Sequence, residues 1–333
     1  MSVWASPLGG YPRSRVVRRA LRDYERGLLG YGELERVVGE ASSLIIGSQL
    51  SSGLTYVVDG MVDWHDIFRP FIESWRNVTA SGLLRYFDNN FFYRIPVFTE
   101  KPEASKLVWA PRVRRYAPLA EPSGLKIVVP GPVTFTSMSI NKTGYSNEEL
   151  AEAIAKLLAD EVKAAIEAGA SMVQVDEPML ADHDATRDEA LLAVELVNSI
   201  VASAGGAKTA LALYFDVPRG EVYDAILDVK ANCISLDVVD APERALKLIE
   251  SKGFSDHCGI LGLVNSRTIY DDPVDKLVEV ALRVARSSKV GEMGVTTTTW
   301  LDLIPYSYSL RKTYLLGVLT LKIQENVGVA GGV

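Results

Sequence analysis

Short runs of Val, Ile and Leu alternate along this chain with longer stretches in which apolar residues recur every three or four positions. The first pattern is that of buried strands, the second that of helices packing one face. Strands are predicted at SVWAS (2–6), LTYVVDG (54–60), LKIVVPG (125–131), SMVQVDEP (171–178), TALALYFD (209–216), CISLDVVD (233–240), CGILGLVN (258–265) and GEMGVTTTT (291–299). Helices are predicted over 14–29 and 32–50, from near Trp64, over 147–169 and over 271–288. Residues 84–124 carry several prolines and read as an irregular insertion. Eight strand–helix units predict a single-domain α/β (β/α)8 TIM barrel over residues 1–333, with an open doubly wound sheet as the alternative.

Composition narrows the class. The 48% apolar fraction supports a deep core, and the net charge of -7 argues against broad nucleic-acid binding, which needs clustered Lys and Arg. Cys233 and Cys258 are the only cysteines, too few for a disulfide framework. The start lacks a basic segment followed by an apolar one, and no run of about 18 apolar residues could span a bilayer. A cytoplasmic protein, with no membrane and no nucleic-acid partner, is expected.

In a barrel the active site lies beyond the C-terminal strand ends. Those ends supply Asp59, Thr134, Asp176, Glu177, Asp216, Asp237, Asp240, Asn265, Arg267 and Thr296 to Thr299. Taken singly, each could be a turn or helix-cap residue. The adjacent Asp176 and Glu177 are the sharpest feature, because neighbours in an extended segment point in opposite directions. One can face the mouth while the other pairs with an Arg or caps the next helix. Glycine-rich phosphate loops are missing, and His65, His183 and His257 are scattered rather than spaced for one metal. Near the start, Arg13, Arg15, Arg18, Arg19 and Arg22 form a dense positive patch, either a solvated face or a dock for a polyanion.

Several motifs together resemble the cobalamin-independent methionine synthase family. They are GYPR (10–13), DGMVDWHD (59–66), LRYFDNNFFYRIP (84–96), GPVTF (131–135), VQVDEP (173–178), ISLDVVDAPE (234–243), GLVNSRTIYDDP (262–273) and TTWLDLIPYSYSLRK (298–312). The resemblance is to the N-terminal of that family's two related barrels. It implies methyl transfer from a methyltetrahydrofolate polyglutamate to homocysteine, with the catalytic zinc on the other barrel.

Residue by residue, the resemblance places Leu213, Tyr214 and Phe215 at the zinc-binding His-x-Cys, Asp237 at the zinc-binding Glu, and Thr299 near the late Cys. No zinc is therefore expected in this chain. Arg15 and Arg18 fall at positions implicated in glutamate-tail contacts, while Asp176 and Glu177 fall at an inherited amino-acid pocket. Asp237 and Arg267 complete the expected substrate-binding set. The implied partner is a separately encoded zinc-containing methionine synthase barrel. The alternatives are a free-standing, metal-independent methyltransferase using another methyl donor, and a non-catalytic pterin- or amino-acid-binding protein.

Overall fold

A strand that is apolar on both faces is stable in a parallel sheet, where both faces are covered. The computed structural model describes residues 1–87, 89–288 and 290–330, with side chains described through 327, and places the eight apolar runs in this way. They are β1 (Ser2–Ala5), β2 (Tyr56–Val57), β3 (Gly124–Pro130), β4 (Met172–Asp176), β5 (Lys208–Ala212), β6 (Cys233–Asp237), β7 (Cys258–Val264) and β8 (Glu292–Thr297). All their pairings are parallel, in the order β1-β8-β7-β6-β5-β4-β3-β2. The two ends of the series meet where the Thr55 N–H donates to the Ala5 carbonyl at 2.9 Å. The sheet is thus a nearly closed eight-stranded barrel, and the open-sheet alternative falls.

Helices Arg15–Glu25, Tyr31–Ser51, Asn147–Glu167 and Val274–Ser288 lie close to their predicted positions. Their starts carry local signals. Ser146 and Glu149 form a reciprocal capping box, as do Thr186 and Glu189 at the start of helix Arg187–Val201. Among the described residues, no helix is long and apolar enough to cross a membrane.

Two expectations need correction. Residues 84–124 are not irregular: strands Trp75–Arg85 and Phe92–Ala104 form an antiparallel hairpin outside the barrel, followed by helix Trp109–Ala120. Prolines 96 and 102 mask the strand pattern, and the helix start is capped from far away. The buried Glu161 carboxylate accepts from the Val108 N–H at 2.8 Å and the Trp109 N–H at 3.1 Å. No helix begins at Trp64 either. The chain turns there, and the short helix Arg69–Ile72 starts where Asp66 accepts from the Phe68 and Arg69 N–H groups.

The two cysteines face each other in register at the starts of β6 and β7, joined as a disulfide with Cα atoms 4.4 Å apart. They belong to a buried cluster with Trp4, Met172, Ala210 and Ile260. The polar strand ends gather at the opposite end of the barrel.

Candidate functional site at the barrel mouth

Asp176 ends β4 with no exposed surface. Its carboxylate accepts from Gln174 Nε2 at 2.7 Å, from the Tyr214 hydroxyl at 3.1 Å and from Trp300 Nε1 at 3.1 Å. The Tyr214 and Trp300 donors come from segments just beyond β5 and β8, so Asp176 lies beneath the mouth with an aromatic roof over it. Gln174 turns its other end to the buried Lys126, whose Nζ donates to Gln174 Oε1 at 2.7 Å and to the Pro7 and Leu8 carbonyls. Burial pushes the Asp176 carboxyl up and the Lys126 ammonium down, while each holds the other's charge in place. Beyond Tyr214, the Tyr86 hydroxyl continues the chain at 3.3 Å. Asp176 lies beneath the barrel mouth and is sealed rather than open. Lys126, Tyr214 and Trp300 were missed as its partners, although a lysine within the otherwise apolar LKIVVP run was a visible signal.

Glu177 turns away, as adjacency in an extended chain requires, and caps a helix. It accepts from the Val133 N–H at 2.9 Å, the Thr134 N–H at 2.8 Å and the Thr134 hydroxyl at 2.6 Å. The helix it caps, Pro132–Ser137, precedes it in the chain instead of following it. Gly131 leaves room for this cap, because a Cβ there would lie 2.0 Å from the Glu177 carboxyl carbon. Glu177 is thereby a structural group, and burial raises its pKa to about 7. Asn265 and Asp216 also take turn roles, with Asp216 accepting from the Val217 N–H and pairing with Arg244. Asp59 pairs with Arg112 and accepts from the Met61 N–H.

Asp237 and Arg267 are brought together through Asp240. Asp237 Oδ1 accepts from the Val239 and Asp240 N–H groups, while its buried Oδ2 has no partner among the described residues. Arg267 donates to Asp240 at 2.5 Å, with its guanidinium over the Phe215 ring. Burial, aided by the neighbouring Asp240 charge, raises the Asp237 pKa to about 8. The residues around it do not fit a zinc ion. Leu213 is buried in the apolar core, Phe215 packs on Tyr86, Phe87 and Tyr214, and Thr299 is tied to Ser266. Among the described residues, no group of three or more His, Cys, Asp and Glu is placed to hold a metal.

The open part of the mouth lies on the other side. A cleft of about 890 Å³ is lined by Arg15, Arg18, Trp64, His65, Trp300 and Asp302, among others. Ser14 caps the helix that begins at Arg15, accepting from the Val17 N–H. Arg15 and Arg18, three residues apart, consequently share a helix face. Both are exposed, and neither has a carboxylate partner among the described residues, whereas Arg19 and Arg22 contact Asp23. Arg13 is spent on structure, donating to the Val62 and Trp64 carbonyls. No acidic residue occupies this helix's first turn, so two cations stand at its positive end, an unfavourable place without an anion.

Comparison with known proteins meets this geometry. The family described as cobalamin-independent synthase, N-terminal domain, matches residues 69–289, well over half of the chain. The chain belongs to the cobalamin-independent methionine synthase family. Among its relatives, the methionine synthase of Sulfurisphaera tokodaii is 28% identical over 194 residues, covering 58% of this chain and 56% of that protein. The methionine synthase of Saccharolobus solfataricus is 24% identical over 274 residues, covering 82% and 80%. The 5-methyltetrahydropteroyltriglutamate--homocysteine methyltransferase of Streptococcus thermophilus is 30% identical over 206 residues, covering 61% of this chain but 27% of that enzyme. The B12-independent methionine synthase structure from Shewanella sp. W3-18-1, in complex with selenomethionine, shares the fold with a TM-score of 0.82 at 16% identity, covering 99% of this chain and 100% of that one. The chain thus spans about half of the first relative and about a quarter of the bacterial enzyme.

Proposed function

We propose that this chain is the donor-docking barrel of a methionine synthase. It holds the glutamate tail of a methylated tetrahydrofolate at Arg15 and Arg18 and acts in the cytoplasm with a separately encoded zinc barrel that activates homocysteine. The observation that carries this reading is the pair of unpartnered arginines on the wall of the large cleft. An acidic tail supplies the charge that the helix start lacks, and guanidinium groups bind carboxylates bidentately. The relatives named for the methyltetrahydropteroyltriglutamate reaction support the choice of donor. What supports the division of labour is that Leu213, Phe215 and Thr299 offer no thiolate or imidazole at the positions that the resemblance assigns to zinc.

The test is reconstitution. The purified chain, assayed for methyl transfer from methyltetrahydropteroyltriglutamate to homocysteine, should be inactive alone and active when a zinc barrel of the family from the same organism is added. Metal analysis should return no stoichiometric zinc on this chain. Full activity of the chain alone would overturn the division of labour. A second reading, a pterin-binding protein without catalysis, is favoured by the aromatic roof over Asp176. It predicts donor binding with no effect on the partner's turnover.

A further inference from the structure

Asp302 was not among the residues picked out from the sequence, yet three cavities meet at it. Together with Phe91 and Leu303 it lines the large cleft, a cavity of about 340 Å³ reaching Arg267, and a small aromatic pocket of about 20 Å³. The aromatic pocket is walled by Tyr86, Tyr214, Phe215 and Trp300. Asp302 sits in the short turn Leu301–Leu303, which is tied to the Gly9–Gly10 segment. The Leu301 N–H donates to the Gly10 carbonyl at 2.9 Å, and the Trp300 indole lies flat on Gly9 and Gly10, where a Cβ would come within 2.1 and 2.7 Å of the ring.

No other described residue hydrogen-bonds to the Asp302 carboxylate. The cation that acts on it, Arg13, already donates to two backbone carbonyls. The result is a partly buried acceptor that takes a hydrogen bond from its own backbone N–H and from no other described residue, beside apolar walls, in the same cleft as two arginines without a carboxylate partner. A carboxylate in that setting is complementary to two adjacent N–H donors on the edge of a planar ring, as in a cyclic amidine.

We propose that Asp302 is the residue that selects the head of the ligand, pairing with the amidine edge of a pterin ring whose acidic tail lies on Arg15 and Arg18. The inference rests on the reading of the cleft as the donor's docking site, and it adds the group that distinguishes a folate from any other polyanion. It also sets a direction, with the tail at the helix start and the ring toward Trp300.

Calorimetry on the full chain separates the two ideas with two ligands: methyltetrahydropteroyltriglutamate, and p-aminobenzoyl-triglutamate, which has the tail but no pterin. Asp302→Asn should weaken the first by about tenfold, because one charge-assisted acceptor becomes a donor facing a donor, and should leave the second unchanged. Retained binding of the second ligand also shows that the variant is folded. The double change Arg15→Ala and Arg18→Ala should weaken both ligands. If Asp302→Asn binds both ligands as the wild type does while the arginine variant loses both, the role of Asp302 is overturned and the docking site stands. If the wild type binds neither ligand, or the arginine variant binds both unchanged, the docking reading fails and the assignment of Asp302 fails with it.

Discussion

Asp176 and Asp302 are both carboxylates at the top of the same barrel, and their surroundings are opposite. Both carboxylate oxygens of Asp176 are engaged, by Gln174, Tyr214 and Trp300, with the Lys126 ammonium behind Gln174. Asp302 lies on a short turn with cavity on several sides and no side-chain donor among the described residues. A saturated buried charge contributes to the uniqueness of the fold and costs heavily when one partner is removed. An unsaturated charge at a cleft contributes little to folding and is free to recognise a ligand. The same contrast divides the arginines: Arg13 is tied to two carbonyls, while Arg15 and Arg18 are not tied to anything described.

The largest effect should come from breaking the saturated side. Lys126→Ala removes the cation facing Asp176 and leaves a buried carboxylate uncompensated, which typically costs about 3–5 kcal/mol. Urea unfolding measures this directly. A loss below about 1 kcal/mol would mean that the interior network is not coupled as its hydrogen bonds indicate. Gly131→Ala should follow, at about 1–3 kcal/mol, since the new Cβ collides with the Glu177 carboxyl that caps the next helix. Unaltered stability there would show that Glu177 can leave its cap without penalty.

The third expectation concerns pH. Asp237 has a folded pKa of about 8, above its unfolded value, so the native state binds more protons than the unfolded state between the two. Stability contributed by this group therefore falls as pH rises from about 4 to about 8. Asp237→Asn keeps the Oδ1 acceptor for Val239 and Asp240 but cannot ionise. The variant should gain on the wild type by about 1 kcal/mol per pH unit within that window. Melting curves from pH 5 to 9 test this, and a constant difference between the two proteins would count against it.

The smallest effects on folding belong to the unsaturated side. Arg15→Ala and Arg18→Ala should change stability by no more than about 0.5 kcal/mol each. Each should weaken the triglutamate ligand several-fold, since an exposed ion pair contributes roughly 0.2–1 kcal/mol, and the loss should shrink as salt is raised. Equal affinity for mono- and triglutamate forms at low salt would return this pair to ordinary solvated surface.

Much of the fold was legible because its signals are local. Each barrel strand is a continuous apolar run, and helices Asn147–Glu167 and Val274–Ser288 have strong helical periodicity. The hairpin and the helix after it were not legible. Prolines interrupt the strand alternation, and the cap of helix Trp109–Ala120 is Glu161, over fifty residues away in the chain. At the mouth, the sequence indicated that Asp176 and Glu177 diverge and that a basic segment leads the first helix. It could not indicate which acidic group is sealed.

What the chain determined by itself was the barrel, the family, and the set of polar groups at the strand ends, because these depend on periodicity and on motifs of adjacent residues. What only the tertiary structure decided was which of those groups remain available. That depends on donors arriving from distant segments: Trp300 and Tyr214 close over Asp176, Thr134 and its neighbouring N–H groups occupy Glu177, and Arg13 turns to the Val62 and Trp64 carbonyls. Whether a charge is spent or free is set by its partners in space. Arg15 and Arg18 have no carboxylate partner among the described residues, and Asp302 takes no hydrogen bond from another described residue, which is why the proposed ligand is placed there.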